Sequence, residues 1–113
     1  APIDCDYVFD VRFLPNPFYI DKLRDQTGCD EECYQFVVDN DSTQVFLEKL
    51  TALLNFVIPK FSEIAKNQVM IGIGCSGGQH RSVAIAIALQ QQLKDHYHSY
   101  VWHRDIEKDR KEN

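Results

Sequence analysis

The residues best suited to chemistry lie in one stretch, Gly74-Cys75-Ser76-Gly77-Gly78-Gln79-His80-Arg81-Ser82. A hydrophobic run ends there, two glycines let the backbone turn tightly, and a helix is expected to begin at Arg81-Ser82. The N–H groups of the loop and of that first helical turn would converge on one spot. The positive end of the helix dipole points the same way, so the arrangement is an anion site by construction. Arg81 adds a bidentate fork suited to phosphate. The hydroxyls of Ser76 and Ser82 can donate as well.

Three motif readings compete. Gly72-x-Gly74-x-x-Gly77 matches the dinucleotide fingerprint only formally, because Gly72 sits inside the strand and no acid ends a following strand. A Walker A loop needs Lys-Ser/Thr after its glycine, and Gly78-Gln79 supplies neither. The sharper match is Cys75-x5-Arg81-Ser82, the spacing of cysteine-dependent phosphatases. There a thiolate attacks phosphorus while the arginine holds the oxygens. The helix N-terminus, Arg81 and His80 would favour such a thiolate. Two points count against it: Gly74 stands where those enzymes usually place a His, and no spacing selects the required acid, for which Asp10 or Asp105 would have to serve. Binding phosphate without cleaving it is the preferred reading.

These residues need elements to position them. Tyr7-Val8-Phe9-Asp10-Val11 reads as a buried strand that runs into the stiff loop Phe13-Leu14-Pro15-Asn16-Pro17. Gly28 and Asp30 read as a stop and an N-cap for a short helix ending near Asn40, with Glu31 and Glu32 in its first turn. Asp41 or Ser42 would cap a longer helix. Its stripe Phe46, Leu50, Leu53, Leu54, Val57, Phe61 and Ile64 has helical spacing and continues through Pro59, which predicts a kink. Val69 to Cys75 is apolar on both faces and reads as a central parallel strand. A helix from Ser82 to about Tyr97 and a short strand Tyr100-Val101-Trp102 complete an α/β three-layer domain with a mostly parallel sheet. Asp10 and Arg12 fall at the carboxyl end of the first strand, where such sheets hold their ligands. A direct pairing of the two side chains is the alternative.

Composition narrows the function classes. At 113 residues and 13.1 kDa, with 44% hydrophobic residues, the chain fits a single globular domain with an adequate core. A net charge of −5 and a pI near 5.2 argue against nucleic acid as the first partner. No apolar stretch approaches the about 20 residues of a membrane span, and no signal peptide is visible. The first residue is Ala1, so a processed chain or a fragment is expected. Cys5, Cys29, Cys33 and Cys75 do not form a disulfide framework, and Cys29-x3-Cys33 lacks a second pair at zinc spacing, so no metal is expected.

A resemblance now becomes specific. Asp10-Val11-Arg12-Phe13-Leu14-Pro15-Asn16-Pro17, Leu23-Arg24 to Thr27-Gly28, Ile73 to Val83 and His103-Arg104 together resemble the C-terminal domain of the RapZ/YvcJ family of nucleotide-binding proteins. The ordered blocks run over nearly the whole chain. The resemblance implies a cytoplasmic bacterial protein, with residues 1–113 as a single C-terminal domain. It further implies an N-terminal P-loop NTPase, absent from these residues, that hydrolyses ATP or GTP. No cofactor is then expected in this domain itself. A phosphofructokinase-like arrangement, homo-oligomerisation and binding of an amino-sugar phosphate, glucosamine-6-phosphate, are implied as well. Under this resemblance the ligand or an inorganic anion would meet Asp10, Arg12, Asn16, Cys75, Ser76, Gly77, Gly78, Gln79, His80, Arg81, Ser82 and Arg104. Asp10 would accept from a sugar hydroxyl or ammonium, and Arg12 or Arg81 would hold phosphate. Phe18 stands where enterobacterial relatives carry His. Those relatives also bind a small RNA. Here Lys108, Arg110 and Lys111 alternate with Glu107, Asp109 and Glu112, which disfavours RNA.

Overall fold

The structure is a computed structural model that describes residues 4–75 and 78–101. The elements run β1 (Tyr7–Asp10), a 3-10 turn (Pro17–Tyr19), α1 (Glu31–Val38), α2 (Asp41–Glu63), β2 (Ile71–Gly74) and α3 (Arg81–Leu93). This is a small α/β domain whose described strands pair in parallel, with Tyr7 opposite Ile71 and Asp10 opposite Gly74. Parallel pairing puts both carboxyl ends on the same edge. Val11 N–H donates to Gly74 O at 2.8 Å and extends the ladder by one bond. At the opposite edge Asp6 closes the pair: its carboxylate accepts from Met70 N–H at 2.7 Å and meets Lys66 Nζ at 3.0 Å. Those contacts hold the Asp6 carboxyl below its ordinary pKa, the Met70 bond contributing most.

β1 is half-buried, not buried as its composition suggests. Tyr7 and Phe9 turn toward α2, with ring centroids 6.3 Å from Phe61 and 6.2 Å from Phe46. Val8 and Asp10 alternate to the other face and are exposed. Apolar composition shows which residues favour a strand, but only the packing shows which face is covered. At Tyr100 and Val101 no strand forms, and Trp102 lies outside the described residues.

The core sits where α1, α2 and α3 meet, around Val37, Leu47, Leu54, Ala84 and Ile85. α2 runs unbroken through Pro59, which lies on an exposed side one turn before the end. Water can there satisfy the carbonyl that proline leaves unpaired. Two expectations for α2 need correction. Its N-cap is Asn40, whose Oδ1 accepts from Ser42 N–H and Thr43 N–H at 3.0 and 3.4 Å. Its buried line is Thr43, Leu47, Leu50 and Leu54, whereas Leu53 and Ile64 are exposed. Thr43 can be buried because its hydroxyl donates to Val37 O at 2.7 Å and so is itself paired.

α2 ends in a Schellman turn. Ala65 N–H donates to Ser62 O at 3.0 Å, and Lys66 N–H to Phe61 O at 2.9 Å. Ala65 takes the left-handed conformation, φ 65°, that this turn usually gives to glycine. α3 stops at Leu93, short of Tyr97, and its first half is buried nearly all round, as its composition requires. Among the described residues no helix is long and apolar enough to cross a membrane.

Candidate functional site

The carboxyl edge of the sheet collects the first-strand residues, Cys75 and the head of α3. Each has a definite set of partners. Arg12 folds back on Asp10: its Nε donates to both carboxylate oxygens at 3.0 and 2.8 Å, and its backbone N–H donates to Oδ1 at 3.0 Å. The guanidinium closes this exposed pair at 2.6 Å. The Asp10 carboxyl is therefore held below the ordinary range, chiefly by the Arg12 guanidinium, with a smaller contribution from the charge of Arg81. Asn16 caps the 3-10 turn, its Oδ1 accepting from Phe18 N–H at 3.1 Å.

Cys75 leaves β2 with its Sγ directed at α3, where it accepts the Ser82 backbone N–H at 3.2 Å. One of the donors that a helix start leaves without an intrahelical partner is thus matched to sulfur, a weak acceptor. Ser82 itself is buried. The loop reaches the helix through Gly78, at φ 67°. Gln79, at the same turn, receives Gly28 N–H on its carbonyl at 2.8 Å.

Arg81 turns inward. Only 4% of it is exposed, and its Nη1 donates to Arg12 O at 2.6 Å and Leu14 O at 3.2 Å. The guanidinium thereby ties the start of α3 to the chain leaving β1. Its Nε is buried with no hydrogen-bond partner among the described residues. Among the described residues no carboxylate lies within ion-pair distance of it. Among the described residues this buried cation is hydrogen-bonded to carbonyls alone, with the Asp10 charge felt only at longer range, and it is electrostatically incomplete.

His80 is buried at the N-cap of α3 and makes no side-chain capping bond. Its Nε2 lies 3.1 Å from Arg24 O. A carbonyl can only accept, so Nε2 carries the proton. Arg24 in turn donates from Nε to Phe18 O at 2.9 Å and pairs with Asp21 at 2.9 Å. Gly28 presses on the same helical turn: a Cβ added there would lie 2.5 Å from Ala84 N and 2.6 Å from His80 O. The segment 18–28 is therefore a strap across the head of α3.

Sequence reasoning named Asp10, Arg12, Asn16, Cys75, Gly78, Gln79, His80, Arg81 and Ser82 here; the structure joins Asp10 to Arg12, Arg81 to the Arg12 carbonyl and Cys75 to Ser82, whereas Asn16 bonds within its own turn. Ser76, Gly77, Arg104, Asp105, Lys108, Arg110 and Lys111 lie outside the described residues. The strap was missed. Its legible signal is the block Leu23-Arg24 to Thr27-Gly28, which carries part of the family resemblance but no site role, with Gly28 read as a stop, because the contact that forbids a Cβ is long-range. Asp30 starts α1 as expected, but its carboxylate accepts from Thr27 N–H at 2.8 Å and makes no cap bond to the helix. All four cysteines are free. Burial, with the nearby Asp30 and Cys29, pushes the Cys33 thiol up to about 11.

Comparison with known proteins places this geometry in context. A family model described as the RapZ C-terminal domain matches residues 1–107. A nucleotide-binding protein of Bacillus licheniformis is 55% identical over 107 residues, which cover 95% of this chain and 36% of that protein. The nucleotide-binding protein YvcJ of Bacillus subtilis is 53% identical over the same share of each chain. A nucleotide-binding protein of Ruminiclostridium cellulolyticum is 51% identical over 111 residues, covering 97% of this chain and 38% of that protein. The chain thus spans little more than a third of the length of these curated relatives.

Proposed function

The chain belongs to the RapZ C-terminal domain family, and from that premise we propose that it is a regulatory module binding a small phosphorylated metabolite at the head of α3. The observation that carries this reading is Arg81, a buried guanidinium with an unpartnered Nε and no carboxylate within ion-pair distance among the described residues. A phosphate or carboxylate oxygen supplies what that charge lacks. It also competes well with the Cys75 sulfur for the Ser82 N–H, since a charged oxygen is the stronger acceptor. The ligand class the family resemblance favours is an amino-sugar phosphate, glucosamine-6-phosphate. Asp10, ionised at neutral pH, is suited to accept from its ammonium or hydroxyls once Arg12 is displaced toward the phosphate. A phosphofructokinase-like three-layer arrangement and cytoplasmic residence belong to the same reading. ATP or GTP hydrolysis would be the work of the portion of the longer relatives that this chain does not span.

Oligomerisation is a further part of the proposal. Val45, Leu53 and Phe56 turn outward from α2 and leave apolar surface that a second copy would cover. Phe56→Glu then converts an oligomer to monomer in sedimentation, and a wild type already monomeric contradicts this part.

Isothermal titration tests the ligand site, with glucosamine-6-phosphate, glucosamine and inorganic phosphate as separate titrants. Heat with the sugar phosphate, lost in Arg81→Lys while the melting curve stays cooperative, is the expected result. Absence of heat with every phosphorylated titrant overturns the reading.

The Cys75 contact keeps one alternative in play, a phosphatase with Cys75 as nucleophile, because Sγ sits at a helix N-terminus as that mechanism requires. Two features oppose it. Arg81 Nη1 is committed to carbonyls, and Asp10 is too acidic to hold a proton for the leaving oxygen at neutral pH. Hydrolysis of p-nitrophenyl phosphate by the wild type and its loss in Cys75→Ser would displace the binding-only reading.

A further inference from the structure

An open groove of about 790 Å³ runs between α1 and the chain around Pro15, Lys22 and Leu23. Its floor is apolar: Leu23 is buried, and Pro15 and Phe36 are half-buried. Its walls carry the carboxylates of Glu31, Glu32 and Asp39. Helical spacing explains the placement. Glu32 and Phe36 lie at i and i+4 on one side of α1 and Asp39 follows at its C-cap, while Cys33 and Val37 on another side are buried.

The lone cation of the lining, Lys22, is already paired with Glu32 at 3.3 Å. Three carboxylates and one lysine leave the rim negative around an apolar floor. We infer that this groove docks a basic peptide segment of a partner protein, one carrying a bulky apolar side chain between lysines or arginines. The apolar side chain would cover Leu23 and Phe36, and its basic neighbours would reach the rim carboxylates. Charge complementarity selects this occupant. A nucleic acid would meet like charge at the rim, and a second copy would bring a chain of net charge −5. None of the lining residues belongs to the head of α3, so the inference holds whether or not that site binds phosphate.

Fluorescence anisotropy with a labelled Lys-Lys-Leu-Phe-Lys-Lys peptide tests it, using the chain as it stands. Three further measurements separate a groove from general attraction to an acidic protein: a Lys-Lys-Ser-Ser-Lys-Lys peptide, the groove variant Glu32→Lys/Asp39→Lys, and the remote variant Glu48→Lys/Asp95→Lys of equal net charge. The expected result is an affinity loss of about tenfold or more in the groove variant and of at most about threefold in the remote one. The serine peptide is expected to bind more weakly than the Leu-Phe one. Equal losses in both variants, equal binding of both peptides, or no binding to the wild type overturns the inference. Lysine in the first turn of α1 opposes the helix dipole, so amide chemical-shift mapping on the unaltered protein gives a second reading. Shifts centred on Leu23, Glu32 and Phe36 support the groove, and shifts centred elsewhere overturn it.

Discussion

The head of α3 and its middle are about equally buried, yet different forces hold them. His80 and Arg81 are fixed by bonds to the carbonyls of Arg24, Arg12 and Leu14, and Ser82 N–H by the Cys75 sulfur. Ala84, Ile85 and Ala88, one turn further on, are fixed by apolar contact with the surrounding core. Directional bonds tolerate little displacement, whereas apolar contacts can repack. A ligand site needs the first kind of support, because its donors must stay aimed. A core needs chiefly volume and exclusion of water.

Substitutions can break or sharpen that contrast. The largest effect is expected in the core: Leu47→Ala should lower stability by about 2–5 kcal/mol in denaturant titration. Ligand affinity should change little wherever the variant remains folded. Next comes Gly28→Ala, whose Cβ would collide with the backbone of the first α3 turn. It should cost about 1–3 kcal/mol, as overpacking does, and unlike Leu47→Ala it should abolish ligand binding in calorimetry. Retained affinity in Gly28→Ala would show that the strap does not position the site.

Smaller effects are expected at the ends of α2. Asn40→Ala removes the cap of Ser42 and Thr43 N–H and should cost about 1 kcal/mol. Ala65→Gly should raise stability by about 0.5–1 kcal/mol, because glycine takes the left-handed turn without a Cβ penalty. Neither should alter ligand binding. The smallest effect is electrostatic. Asp6 has a folded pKa below its unfolded one, so its contribution is present near neutrality and fades as pH falls through the acid range. Asp6→Asn should therefore flatten the acid side of the stability–pH curve and converge with the wild type at low pH. A constant offset at every pH would show that the pairing with Lys66 and Met70 contributes no pH dependence.

Much of this was legible from residue types. The strand–glycine loop–helix order around Cys75, the helical spacing along α2 and the apolar first half of α3 all correspond to elements of the fold, because each is encoded by neighbours in sequence. Where local reading falls short, the deciding geometry is not marked by residue type. Residue type points to Asp41 or Ser42 and passes over Asn40, because a cap depends on backbone geometry as much as on side-chain type. Val8 was assigned to the interior because only the position of α2 shows which face of β1 is covered. Arg81 is expected to hold phosphate because its type fits, but type alone does not show that Nη1 is also tied inward to carbonyls. Its inward bonds are to backbone carbonyls, which every residue carries and no motif can mark.

The sequence by itself determined that one polar cluster follows a hydrophobic strand and heads a hydrophobic helix, and that the chain as a whole is acidic. Its ordered motifs, from Asp10-Val11-Arg12 to Arg81-Ser82, also carried the family. The tertiary structure alone decided that Asp10 and Arg12 pair with each other, that Gly28 is pressed against the first turn of α3, and that the Arg81 charge is buried without a carboxylate within reach among the described residues. The reason is physical. Propensity and periodicity act over a few residues, while a buried charge takes its meaning from atoms that folding brings from the other end of the chain.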